Sequence, residues 1–245
     1  MRLDILGVGF DPITLPDAVT AGMALAGSEG FHYVVTPNPE IVLLADRDEH
    51  FRSILYHADL VLADGVGVIH AANILGTPLP GRVTGIDFAA GLMQEMARTG
   101  EKKLFLLGAK PGVAAEAGRR LQKTYPGLNV CGTRDGYFKD AESEAVAAQV
   151  AQSGADVLFV CLGAPKQEKW LAQYGKACGV HLAAGLGGVL DVFAGNVDRA
   201  PAAFQKAGME WFYRLVKQPS RIGRMAKLPG FLGKAVAARV KRGKS

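Results

Sequence analysis

Asp156-Val157-Leu158-Phe159-Val160-Cys161-Leu162 runs directly into Gly163-Ala164-Pro165-Lys166-Gln167-Glu168. The first part is an apolar run of strand length; the second turns the chain with glycine and proline and opens a helical pattern over 166–175. The same unit recurs on both sides. Strands are predicted at Leu3–Gly7, Phe31–Val35, Leu60–Ala63, Lys103–Leu107, Asn129–Cys131 and Val180–Ala184. Helices are predicted at Asp17–Ala26, Ile86–Arg98, Val113–Tyr125 and Glu142–Ser153. Thr14-Leu15-Pro16-Asp17 marks one helix start with a capping residue and an early proline. Strands alternating with helices at this spacing imply an α/β fold, a mostly parallel Rossmann-like sheet with helices on both faces.

In such sheets ligands bind beyond the carboxyl ends of the strands. The predicted strands end in unusual loops there: Thr36-Pro37-Asn38-Pro39-Glu40, Asp64-Gly65-Val66-Gly67, Gly108-Ala109-Lys110-Pro111-Gly112, the Gly163 loop, and Gly185-Leu186-Gly187-Gly188. Glycine lets backbone approach a ligand, and a helix start offers N–H groups to phosphate. Any one of these loops is explained by tight turning alone; five on one edge, several with polar side chains, point to a site.

Charge divides the chain. Residues 199–245 hold 12 Lys/Arg and one acid, Glu210, whereas residues 1–198 hold 16 bases against 22 acids. An acidic body thus carries a basic tail, and a concentrated positive field recruits polyanions or an anionic membrane face. We divide the chain into an α/β domain, 1–195, which the resemblance given below implies is catalytic, and a basic amphipathic appendage, 196–245. In the appendage, 202–217 and roughly 220–241 read as helices, the second interrupted near Pro229-Gly230. Three cysteines without CxxC spacing suit a reducing compartment. The absence of a leader pattern or an apolar stretch of spanning length leads us to expect a cytoplasmic protein with peripheral membrane contact.

Several signatures are missing. Gly7-Val8-Gly9 gives only GxG, and neither a Walker lysine loop nor a nucleophile-elbow serine is present. Asp46-Arg47-Asp48 spells a DxD, but acids two apart on a helix point to different sides, so a solvated turn is expected. The five histidines form no ligand cluster. No metal and no cofactor are expected. Two acids stand out. Asp64 ends an apolar strand: either it is a general base toward a hydroxyl, or it caps the helix that follows. Asp191 is either a ligand acceptor or a cap. In the tail, Arg214, Lys217 and Arg221 would share a helix face, with Arg224 nearby, and arginine forks suit diphosphate oxygens. A basic stripe facing lipid headgroups explains them equally. A nucleotide-dependent oxidoreductase, a membrane-binding module and a nucleic-acid-binding module remain as alternatives, although the apolar spacing fits lipid better than nucleic acid.

The strand-end loops listed in order, together with Arg82-Val83-Thr84-Gly85-Ile86-Asp87, Gly187-Gly188-Val189-Leu190-Asp191-Val192-Phe193-Ala194-Gly195, Arg199-Ala200-Pro201 and Gly208-Met209-Glu210-Trp211-Phe212-Tyr213-Arg214, resemble the WecG/TagA/CpsF glycosyltransferases, glycosyltransferase family 26. The resemblance runs from the first strand to about Arg224. It implies metal-independent, inverting transfer of a sugar from a UDP-sugar donor to a polyprenyl-diphosphate-linked sugar. The leading pair is N-acetylmannosamine and lipid-linked N-acetylglucosamine, in teichoic acid or polysaccharide synthesis. UDP-N-acetylmannosaminuronic acid, UDP-glucose and UDP-glucuronic acid are donors of other relatives. By position, the resemblance implies Asp64 as general base, Thr36 and Gln167 positioning the reacting sugars, and Asn38 and Arg82 lining the pocket. It further implies Asp191 on the nucleotide, Tyr137 stacking on uracil, and Arg214, Arg221 and Arg224 at the diphosphate. It also suggests self-association, and an appendage that closes the site at the inner face of the membrane.

Overall fold

The apolar runs become the interior of one sheet. A computed structural model describes residues 1–201, 204 and 227–242. Strand β7 (Val157–Cys161) is buried at every residue, and successive side chains point to opposite faces. Leu158 and Val160 therefore enter one core, while Val157, Phe159 and Cys161 enter the other. With β3 (His32–Val35), β4 (Leu60–Val61), β5 (Lys103–Gly108), β6 (Asn129–Arg134) and β8 (Leu182–Gly185) it forms a six-stranded sheet, ordered β4-β3-β8-β7-β5-β6. All five pairings are parallel. On the first face lie α2 (Pro39–Ala45), α3 (Glu49–His57), α4 (Val66–Leu75), α7 (Ser143–Gln152) and α8 (Lys166–Tyr174). On the second lie α1 (Leu15–Gly27), α5 (Gly85–Thr99), α6 (Val113–Thr124) and α9 (Val189–Phe193). The Rossmann-like expectation holds, with the cap at Thr14 as read: its side chain accepts from the Asp17 N–H at 3.4 Å.

The first strand is a correction. Leu3–Gly7 does not enter the parallel sheet; β1 (Leu3–Ile5) pairs antiparallel with β2 (Val8–Phe10) in a separate hairpin. Leu6 and Gly7 both take positive φ, 55° and 87°, the twist a two-residue hairpin turn demands. The hairpin then guards the sheet edge. Asp11 accepts from the Val61 N–H at 2.8 Å, and the Asp11 N–H donates to Val61 O at 3.0 Å, closing β4 against another chain.

In the tail, the part read as helical before Pro229, 220–226, lies outside the described residues. Leu228–Arg242 is one unbroken helix, α10, with Pro229 in its first turn. There a proline removes only an N–H that lacks an intrahelical partner in any case. The helix docks on α2 and α4. Phe231 and Ala235 are fully buried, and burial of the phenyl ring contributes roughly 1.5–3 kcal/mol. Lys227 reaches Glu40 at 3.3 Å, Lys234 reaches Asp46, and Arg239 Nη1 donates to Leu75 O at 3.1 Å, closing the end of α4. The approach is close at Gly67, where a Cβ would lie 2.6 Å from Leu228 Cδ1 and 2.7 Å from Pro39 Cγ. Ordinarily Gly→Ala in a helix stabilises by about 1 kcal/mol. Here Gly67→Ala is expected to reverse that sign and destabilise by about 1–3 kcal/mol through overpacking. A lower melting temperature with faster hydrogen exchange in 228–242 is the expected result; a more stable variant would refute the tight docking.

Candidate active site

Neighbouring strands send their chains to opposite faces of the sheet at β8. The chains leaving β3 and β7 pass to the first face, through α2 and α8, whereas the chain leaving β8 passes to the second, through α9. The carboxyl end of β8 is thus the floor of a crevice, the place where such sheets bind ligands. Thr36, just past β3, is 7% exposed, and its hydroxyl donates to Gly185 O at 3.1 Å. Asn38 caps α2: its Oδ1 accepts from the N–H groups of Glu40 at 2.9 Å and Ile41 at 3.1 Å. That leaves the orientation of its NH2 group fixed by the cap. The β4 exit is tied to the same place, because the Asp64 N–H donates to Pro37 O at 3.1 Å and the Val83 N–H donates to Ala63 O at 3.0 Å. Thr36, Asn38, Asp64 and Arg82 are therefore brought to one end of the sheet.

Asp64 is not the cap of α4. That position is Gly65, at φ +102°, and α4 has no side-chain cap bond. The conformation suits glycine alone, and it sets Asp64, half-buried, ahead of the helix. The helices that follow β5, β7 and β8 likewise start without a side-chain cap bond. By contrast α1, α2, α3 and α5 are capped by Thr14, Asn38, Asp48 and Thr84. Open N–H groups with a positive dipole end accumulate on the crevice side, an arrangement that attracts anions.

Gln167 is 2% exposed and engaged at both ends of its amide. Its Oε1 accepts from the Gly187 N–H at 2.9 Å, and its Nε2 donates to Glu168 Oε1 at 2.8 Å. Glu168 is fully buried, and the sequence reading missed it. It stands between Lys166 and Lys169, which mark a solvated helix turn, and only the face it presents to the sheet reveals otherwise. Burial pushes its carboxyl up, opposed by the Gln167 hydrogen bond. Its Oε2 has no partner among the described residues.

The remaining candidates spread along the same edge. Asp191 lies half-buried in the first turn of α9, and its carbonyl accepts from the Asn196 and Val197 N–H groups at 2.9 and 3.2 Å. Tyr137 is 69% exposed beyond β6, the far edge strand. The chain there turns back over the sheet end, since the Gly136 N–H donates to Ala109 O at 2.9 Å and Phe138 packs edge-on against Trp170 of α8. Arg214, Arg221 and Arg224 lie outside the described residues. Asp46 and Asp48 flank a turn between α2 and α3, as expected, and each carboxylate has a lysine: Lys234 for Asp46, Lys169 at 2.9 Å for Asp48. Arg199 pairs with Asp87, joining the Arg199-Ala200-Pro201 and Arg82–Asp87 segments. Among the described residues no helix is long and apolar enough to cross a membrane.

The profile of the Glycosyl transferase WecG/TagA/CpsF family matches residues 3–245, nearly the whole chain including α10. The chain belongs to this family. Two relatives share the name N-acetylglucosaminyldiphosphoundecaprenol N-acetyl-beta-D-mannosaminyltransferase. One, from Bacillus spizizenii (strain W23), is 38% identical over 200 residues, 82% of this chain and 77% of the relative. The other, from Staphylococcus aureus (strain MW2), is 35% identical over 242 residues, 98% of this chain and 94% of the relative. As a WecG/TagA/CpsF member the protein is a glycosyltransferase, which sets aside the oxidoreductase and non-enzymatic readings.

Within this WecG/TagA/CpsF site, Glu168 gives a signed pH dependence. At acid pH its carboxyl is protonated folded and unfolded, so it exerts no effect. Above about pH 4.5 the unfolded carboxyl ionises while the buried one resists, and stability is lost as pH rises toward the raised folded value. Glu168→Gln should therefore melt above wild type at pH 7, with the difference shrinking on acidification to about pH 4. Thermal melts of both proteins across pH 4–8 check this; a pH-independent difference would refute it.

Proposed function

We propose that this enzyme transfers N-acetylmannosamine from UDP-N-acetylmannosamine to the N-acetylglucosamine of a polyprenyl-diphosphate-linked acceptor, with inversion, in cell-wall polymer synthesis. The observation that carries the chemistry is Asp64, at the exit of β4 and ahead of the helix, gathered with Thr36, Asn38 and Arg82. The identity of the pair is supported by what the two relatives are named for.

In this mechanism Asp64 takes the proton of the acceptor hydroxyl as its oxygen bonds to the anomeric carbon. The bond from that carbon to the β-phosphate oxygen breaks, and UDP leaves. One displacement needs one base and no protein nucleophile. Thr36 positions the reacting sugars, and Asn38 and Arg82 line the pocket. Gln167 acts on the sugars through the Gly187 backbone that it holds, Asp191 contacts the nucleotide, and Tyr137 meets the uracil end. Charge on the departing diphosphate is met by open helix starts and by Arg214, Arg221 and Arg224 of the appendage. No step uses a divalent metal; the lysines on Asp46 and Asp48 support reading that DxD as a surface turn. The appendage, 196–245, serves the body, 1–195, at the cytoplasmic face of the membrane. The outer side of α10 supports this, with Val236 and Val240 half exposed on a basic helix.

Asp64→Asn tests the assignment, assayed with UDP-N-acetylmannosamine and a synthetic lipid-diphosphate N-acetylglucosamine. UDP affinity by calorimetry should stay near wild type while turnover falls about 10²–10⁴-fold, the usual worth of a general base. Near-wild-type turnover would remove Asp64 from that role. A panel of UDP-sugars run with wild type reports the donor. Separately, activity should survive saturating chelator, and a strict requirement for Mg²⁺ or Mn²⁺ would overturn the metal-independent step.

A further inference from the structure

The buried Glu168 carboxyl has no part in that mechanism, yet it touches the residue that does. A fully buried acid is unfavourable unless something requires it, and an apolar side chain of similar size would serve packing better. What it supplies is an acceptor. The Gln167 amide can sit in two senses related by a half-turn, and only one presents oxygen to the Gly187 N–H. The other sets NH2 against N–H. Glu168 Oε1, at 2.8 Å from Gln167 Nε2, selects the productive sense because a carboxyl oxygen accepts from NH2. Gly187 then stays at 2.9 Å from Gln167 Oε1.

The loop so held is the floor of the crevice. At its start Gly185 O receives the Thr36 hydroxyl; four residues after Gly187 comes Asp191. Space around the loop is scarce on the Gln167 side, where a Cβ on Gly185 would lie 3.2 Å from Nε2. It is open at Gly187, where a Cβ would meet nothing within 4 Å and φ is +61°. The loop therefore relies on its hydrogen bond for its position.

We propose that Glu168 is a positioning residue of the transferase: its carboxyl orients the Gln167 amide and, through it, the Gly185–Gly188 backbone against which the donor sugar nucleotide lies. The link to donor binding rests on the function proposed above; the link to Gly187 does not.

Two variants and two measurements separate these. Glu168→Met fills a similar volume without an acceptor. Glu168→Gln restores one, since its Oε1 can still receive Gln167 Nε2. Hydrogen exchange of the Gly187 amide, read by NMR, reports the loop without any assay; steady-state kinetics report the UDP-sugar KM and kcat. In E168M, Gly187 exchange and the UDP-sugar KM should each rise about tenfold, the equivalent of one lost hydrogen bond, with kcat changing less. E168Q should return both to within about twofold of wild type. Wild-type exchange and KM in E168M, or an E168Q as impaired as E168M, would overturn the proposal. Should E168M not fold, Glu168→Asp draws the acceptor back by one methylene and should show the same loss at Gly187; unchanged exchange there would overturn it equally. If wild type transfers from no UDP-sugar in the panel, the functional reading fails, while Gly187 exchange still decides the role of Glu168.

Discussion

The carboxyl end of β8 gathers the candidate site, and at Gly185 the space for a side chain is already taken up by Gln167. Gly185 has the Gln167 amide against one side, and its carbonyl is taken by Thr36. A larger residue would displace Gln167, and with it the hold on Gly187. The three strands that meet at this point, β3, β8 and β7, are adjacent in space although β3 lies far from the other two in the chain, and each leads to one polar contact. Their register, with His32 opposite Leu182 and Val157 opposite Leu182, is what makes the contacts coincide. Two cores pin that register from opposite faces, since a slip of one residue would move every buried side chain of a strand to the wrong side.

The second organising contact is remote from the crevice floor but not from Asp64. Helix α10 rests on α4 within a turn of Gly65 and packs against α2, which starts at Pro39 after the Asn38 cap. Lys227, just ahead of α10, and Lys234 within it meet acids near each end of α2, Glu40 and Asp46. Such exposed pairs add little energy, so Phe231 and Ala235 supply the grip and the lysines its direction. The end of the chain thereby braces the two helix starts next to Asp64 and Asn38.

Much of this was legible in the sequence, and the limits are physical. Strands β5 and β7 announce themselves because both faces are buried and almost every residue is apolar. Thr36, Asn38 and Asp64 stand out because each follows such a run with a polar side chain. Leu3–Ile5 looks the same locally; whether it joins the sheet or a hairpin is decided by a partner and by the turn at Leu6-Gly7. Strand order is set by long-range pairing, and no local pattern puts β8 between β3 and β7. Glu168 was hidden because charge predicts exposure, and two flanking lysines strengthen that expectation. Lys227 and Lys234 were visible as charge, but their partners, some 190 positions earlier (|i−j| of 187 and 188), were not.

That separation has a consequence during synthesis. Arg239 closes the end of α4 across 164 positions, and at about 5–20 residues per second roughly 8–30 s pass between the emergence of the two. The sheet can close only once β8 has emerged, and from then until Phe231 follows the body exposes the groove that this ring will fill. The nascent chain thus carries a sticky seam until α10 emerges, and the brace beside Asp64 arrives only with that helix. Premature termination between the end of β8 and Phe231 would leave that groove uncovered, a substrate for chaperones and proteases.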